Sequence, residues 1–112
     1  MADSLKVLGQ IDPSATTVTT LYTVPDMTQT TVSSIVAANR TGSAITFRLS
    51  VHVAGASADD KQYLYYDKSV AANDSLAIVI GITLNQADVV KVYTSASNMS
   101  FNMFGCETKE SR

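Results

Sequence analysis

The chain has 112 residues, of which 46% are hydrophobic and 16% are charged, and its formal net charge at pH 7 is −2. This length supports one domain, and the slightly acidic balance argues against a general nucleic-acid binder, which needs a basic face to displace phosphate counterions. The scattered basic residues exclude a basic membrane-surface helix, and no apolar run is long enough to cross a bilayer.

The residue types favour strands over helices. Ser and Thr occur 13 times each, whereas Glu occurs only at positions 107 and 110. Helix formers are therefore scarce and β-branched residues are common, which predicts an all-β chain. Cys106 is the only cysteine, so no internal disulfide can form, which suits assembly in a reducing interior. The N-terminus has no apolar signal-peptide stretch.

The chain is expected to have three parts. Residues 1–16 are the least regular and are predicted to form an N-terminal arm or an edge segment, with a possible strand at 5–9. Residues 17–107 are predicted to form the β-domain, and residues 108–112 a C-terminal tail. Within the domain, the first strands are expected at 18–24, which ends at Pro25, and at 30–39.

The clearest strand spans residues 44–53, where apolar and polar residues alternate with a period of two. One face is expected to enter the core and the other to be polar. The core face holds Ile45, Phe47, Leu49, Val51 and Val53, and the polar face holds Thr46, Arg48, Ser50 and His52.

Further strands are expected at 62–66, 75–80, 89–94 and 99–104. The continuous apolar run at 75–80 is typical of a strand buried on both faces. Turn residues separate the strands at intervals of roughly 8–12 residues, which favours an antiparallel β-sandwich or jelly roll of about seven to eight strands. A true immunoglobulin domain is not indicated, because the chain has no Trp and only one Cys.

The inventory of reactive side chains predicts that the chain is not an enzyme and uses no cofactor or small-molecule substrate. His52 is the only histidine and is expected at the solvent or in an interface, and Cys106 has no evident partner to activate it. No zinc-ligand spacing occurs. Loop aspartates could converge on a hard cation, but their spacing matches no calcium loop, and turn chemistry also explains them. These are Asp59, Asp60, Asp67, Asp74 and Asp88.

Three tyrosines, Tyr63, Tyr65 and Tyr66, lie close together on one predicted strand, so their rings are expected on both of its faces. Tyr on an exposed face is typical of protein interfaces. Together with Arg48 and His52, these tyrosines are the candidate interface. An aromatic platform for carbohydrate stacking is the alternative.

Several segments resemble small virion accessory proteins of tailed bacteriophages, and together they cover about residues 20–107. They lie at 21–25, 32–41, 47–51, 61–67, 72–76, 81–84, 88–93 and 100–105.

The resemblance implies a β-sandwich that forms homo-oligomers, often trimers, and binds major virion proteins such as the capsid protein. It implies a capsid decoration or cement subunit in the virion, assembled in the host cytoplasm. A neck, collar, tail or fibre component and a host-glycan-binding module are the alternatives. No nucleic acid, membrane or enzymatic role is implied.

Overall fold

The computed structural model describes residues 2–109, which form an antiparallel two-sheet sandwich and confirm the all-β prediction. Two short 3-10 turns, Val53–Gly55 and Asp60–Gln62, lie between the fourth and fifth strands. The strands of this part of the chain are β1 (Ala2–Ile11), β2 (Thr19–Thr23), β3 (Thr28–Asn39), β4 (Ile45–His52), β5 (Tyr63–Val70), β6 (Ser75–Ile78), β7 (Ile82–Leu84), β8 (Val89–Thr94) and β9 (Met99–Lys109).

The strand pairs are nested around the loop between β4 and β5. This innermost pair is followed by β3 with β6 and β7, then by β2 with β8, and finally by β1 with β9. The chain is therefore one long antiparallel ribbon folded back on itself. Rolling the ribbon adds two further pairs, β3 with β9 and β4 with β8.

This winding gives the sandwich its two sheets. Sheet A has the order β1-β9-β3-β6, with β7 also pairing with β3, and sheet B has the order β2-β8-β4-β5. A rolled ribbon that alternates between two sheets in this way is a jelly roll. Of the two architectures that the sequence left open, the strand order selects this one.

The core lies between the sheets and follows from the alternation seen in the sequence. Phe47 of β4 and Phe101 of β9 are fully buried, with ring centroids 5.7 Å apart and planes at 65°. This edge-to-face contact joins sheet B to sheet A and contributes about 0.5–1.5 kcal/mol beyond the area that it buries. The other fully buried apolar side chains around it include Ile35, Ala37, Leu49, Met99 and Met103.

Strand β1 is the edge strand of sheet A, so residues 2–11 form an edge segment rather than a detached arm. Its second half closes against sheet B at Gly9, where a Cβ would overlap the main-chain oxygen of Leu21, so no larger residue fits.

Residues 108 and 109 belong to β9 instead of a separate tail, whereas Met1 and residues 110–112 lie outside the described part of the chain.

The prediction that residues 75–80 form a strand buried on both faces is wrong. Strand β6 ends at Ile78 and lies at an edge of sheet A, so only alternate side chains enter the core. Val79 is 73% exposed, and Ile80 is also exposed. The reason is that β6 and β7 pair with successive parts of β3, and the chain leaves the sheet between them. The short strand β7 was not predicted.

Candidate protein interaction surfaces

The outer face of sheet B carries a compact group of aromatic and charged side chains. The Arg48 guanidinium carbon lies 4.1 Å from the ring centroid of Tyr66 and 4.5 Å from that of Tyr93. Asp67 pairs with the same guanidinium, with Oδ1 2.8 Å from Nε. Tyr63 contacts Tyr66 edge to face, at a centroid distance of 4.9 Å. We call these five residues the Arg48 cluster.

A β-bulge in β5 places two members of the cluster over Arg48. Phe47 pairs with Lys68 and Leu49 pairs with Tyr65, so the single residue Arg48 faces two residues of β5, Tyr66 and Asp67. Asp67 has a φ of +52°, the left-handed conformation that costs a non-glycine residue free energy. Such bulges redirect side chains. Here the bulge brings both the ring and the carboxylate onto Arg48.

The electrostatics of the cluster keep Arg48 charged and oriented. The hydrogen bond from Arg48 to Asp67 raises the pKa of the guanidinium above its ordinary value. The guanidinium carbon lies over both the Tyr66 and the Tyr93 ring, a contact that suits a planar, delocalised cation. Asp67 accepts from Nε and Nη2, which lie on one side of the guanidinium, so the N–H groups on the other side point away from Asp67. The cluster is therefore preorganised to donate hydrogen bonds to a partner.

The structure brings together three of the five candidate interface residues, namely Arg48, Tyr63 and Tyr66. Tyr65 faces the other way and packs on Phe47, at a centroid distance of 5.8 Å, so it belongs to the edge of the core instead of the surface. Sequence reasoning missed Tyr93. The alternation of β8 could have identified it, because Tyr93 lies on the strand face opposite Val90 and Val92, which are buried. In the structure, Tyr93 pairs directly with Arg48.

His52 is only 3% exposed, which corrects the expectation of a histidine at the solvent. Its strand alternates as predicted up to His52, but Val53, which was expected on the core face, lies in the following 3-10 turn and is 70% exposed. The loop of residues 53–62 covers this part of the polar face. Nδ1 lies 2.9 Å from the carbonyl oxygen of Ala56, and Nε2 lies 3.0 Å from the Ser50 hydroxyl. A carbonyl can only accept, so Nδ1 donates and Nε2 accepts from Ser50. His52 therefore anchors the loop.

The loop aspartates serve local turns and ion pairs. Asp59 caps the turn Asp60–Gln62, and Asp74 accepts from the main-chain N–H of Ser75. Asp88 is buried and accepts from two main-chain N–H groups at 2.9 Å each, that of Ala54 in the loop after β4 and that of Asn85 in its own loop. Within residues 2–109 no three acidic, His or Cys side chains come close enough to hold a metal ion, so these carboxylates do not converge.

A buried carboxylate, Glu107, lies between the sheets at one end of the sandwich. Its Oε2 accepts from the Tyr22 hydroxyl at 2.5 Å, and its Oε1 lies 3.1 Å from the Lys6 ammonium. Burial opposes ionisation, but the contacts from Tyr22 and Lys6 outweigh it and lower the pKa of Glu107. Burial, with the nearby carboxylate, raises the pKa of Tyr22, which therefore remains a donor. The network joins β1, β2 and β9.

A second exposed surface lies on the outer face of sheet A, beside the β1 edge. Leu5 is 85% exposed and Val7 is 46% exposed. They pair across the ladder with Cys106 and Phe104, so all four side chains are on the same face. A groove of about 320 Å³ is lined by three of them, Leu5, Phe104 and Cys106, and also by hydroxyl-bearing residues of β3. Exposed apolar patches of this kind mark contact surfaces.

Comparison with known proteins supports the fold. The sequence matches no protein-family model and no curated protein sequence. In structure, the chain is similar to a chain in the structure of infectious bursal disease virus, Gx strain, with a TM-score of 0.51 and 12% sequence identity. The match covers 95% of this chain and 30% of that chain, so this chain spans less than a third of its neighbour's length. The class defined by the topology and this likeness is a jelly-roll β-sandwich protein.

No helix within residues 2–109 is long and apolar enough to cross a membrane.

Proposed function

We propose that the chain is a virion structural protein, and specifically a capsid decoration or cement subunit. It acts through protein–protein contacts, both with copies of itself and with a major virion protein such as the capsid protein. The observation that carries this proposal is the Arg48 cluster, a preformed group of aromatic and charged side chains on an outer sheet face.

The residue types of the cluster are those that dominate protein interfaces. Tyr and Arg are enriched among residues whose truncation costs the most binding energy. Arg48 already contacts two rings and a carboxylate, so little rotamer freedom is lost when a partner binds. A surface arranged in this way favours a specific protein contact.

The fold and the composition favour the virion. Jelly rolls are common in viral capsid and lectin domains, and the fold neighbour comes from a virus structure. The chain is poor in charge and rich in hydroxyls, which cost less to desolvate than charged groups when proteins pack together. On a symmetric shell, several weak contacts made by a linked oligomer hold it strongly.

A host-glycan-binding module remains the alternative from a different class, because lectins share this fold. The geometry favours the protein contact. The guanidinium of Arg48 covers one face of both Tyr66 and Tyr93, which makes that face of each ring inaccessible to a stacking sugar. A neck, collar, tail or fibre position would use the same kind of protein contact.

Co-sedimentation with particles that lack the chain tests the proposal. We expect wild-type protein to sediment with the particles, and Arg48→Ala and Tyr66→Ala to weaken binding about thirtyfold, as for a truncation that costs about 2 kcal/mol. Lys61→Ala, an exposed cation outside the cluster, is the matched control and should bind normally.

Circular dichroism confirms that each variant is folded. Unchanged particle binding by both folded cluster variants would overturn the role of the cluster. Failure of the wild type to bind particles, together with a signal on a glycan array that Tyr66→Ala abolishes, would replace the proposal with the glycan module.

A further inference from the structure

The first half of β1 has an unpaired backbone edge. Among residues 2–109, strand β1 pairs only with β9, and it packs closely on sheet B at Gly9. The side chains of residues 3–7 are all exposed on both faces of the strand. A row of main-chain N–H and C=O groups therefore lies open beside a strand that contributes little to the core.

The usual protections of an edge strand are weak in this segment. Natural edges carry proline, charged side chains or bulges that prevent pairing with another chain. Residues 2–11 contain no proline, and the bulge lies after Val7, beyond the open part. The two charged side chains of the segment, Asp3 and Lys6, contact Thr108 and Glu107 of the neighbouring strand β9. The edge is therefore left able to pair.

Two of the five exposed side chains of the edge, Leu5 and Val7, are apolar. Leu5, at 85% exposed, lies next to Val7 and the groove beside Phe104. Asp3 and Lys6 contribute one negative and one positive charge to the segment, so its net charge is zero. An identical segment could approach it without net repulsion, whereas nothing in its charge selects a strongly acidic or basic partner.

We propose that β1 pairs antiparallel with β1 of a second copy of this chain about a two-fold axis, joining the two A sheets into one. Such an isologous contact uses the same patch on both copies. The inference is independent of the virion role.

Symmetry restricts the register. Residues that face each other across an antiparallel pair share a face, so a two-fold pair must be centred on one residue. Centring on Lys6 places two ammonium groups opposite each other, and centring on Ser4 places Leu5 against the partner's Asp3. Centring on Leu5 sets the less exposed Val7 against the partner's Asp3, but it brings the two most exposed apolar side chains, the two copies of Leu5, together. This register is the one that we assign.

Sedimentation velocity over a wide concentration range tests the pairing. Wild type is expected to reach twice the mass of one chain, and Leu5→Lys is expected to remain at the mass of one chain. Val79→Lys is the matched control, because Val79 is 73% exposed and lies away from β1; it should associate like the wild type.

Covalent trapping tests the register. In a Cys106→Ser background, Leu5→Cys is expected to form a disulfide-linked dimer under mild oxidation, because the Cβ atoms of directly opposed residues approach to about 4.5 Å, the upper end of the range that a disulfide spans. Val79→Cys should not. The proposal is overturned by a wild type that is monomeric at every concentration, by a trimer, or by an assembly that Leu5→Lys leaves intact. A dimer that Leu5→Lys disrupts but Leu5→Cys does not trap overturns the register.

Discussion

Replacing Glu107 by Gln tests the buried network that ties β1 to the sandwich. The change keeps the size of the side chain but removes the charge that accepts from Tyr22 and Lys6. A hydrogen bond to a charged group contributes about 1.5–3 kcal/mol and a neutral one about 0.5–1.5 kcal/mol. The half-exposed Lys6 adds less than about 1 kcal/mol. Glu107→Gln should therefore lower the free energy of unfolding by about 1–2 kcal/mol at pH 7.

The same variant should change how stability depends on pH. The folded pKa of Glu107 lies below its ordinary value, so its contribution is present above the unfolded pKa and is lost as pH falls through the folded pKa. The difference between wild type and Glu107→Gln should therefore shrink on acidification below about pH 4.5.

Urea titrations from neutral pH to about pH 3 measure this difference. Asp3→Asn is the control, because it removes an exposed carboxylate from the same strand and should change stability by less than about 0.5 kcal/mol. Equal stability of wild type and Glu107→Gln at pH 7, or a difference that stays constant into acid, would refute the reasoning.

Three further stability predictions follow from the packing and are checked by thermal and urea unfolding. Thr94→Val should stabilise the fold by about 1 kcal/mol, because the fully buried Thr94 hydroxyl has no hydrogen-bond partner among residues 2–109; a loss of stability would mean that the hydroxyl is satisfied. Gly105→Ala should destabilise by more than about 2 kcal/mol, because its Cβ would overlap the main-chain oxygen of Thr31, whereas Gly42→Ala meets open space; similar effects at both positions would contradict this. Asp88→Ala should cost about 2–3 kcal/mol by leaving two loop N–H groups without their acceptor, and a neutral result would contradict the role of that carboxylate.

The sequence predicts the strands whose side chains alternate cleanly. Strand β4 is the best case, because the inward residues Phe47 and Leu49 are separated by polar ones and face a continuous partner in β8. Turn spacing also restricts the fold to a sandwich or jelly roll. The choice between the two depends on which strands pair, and contacts between residues so distant in the chain leave no local pattern.

Three local features could not be predicted for identifiable reasons. An apolar run does not reveal whether its strand is central or at an edge, which is why Val79 proved exposed. Burial of His52 results from a loop that folds back over its strand, and periodicity does not report such covering. The Arg48 cluster depends on a bulge at Asp67, which changes which side chains of β5 share a face.

Electron cryomicroscopy of virus particles purified from infected cells that express this chain tests the proposed virion role most directly. The account predicts density for the jelly roll in many copies on the outside of the shell, with the Arg48 cluster in contact with a neighbouring protein. Density in a few copies at the neck or tail would retain the structural role but contradict decoration. Purified particles that lack the chain, although it is expressed during infection, would contradict the central claim.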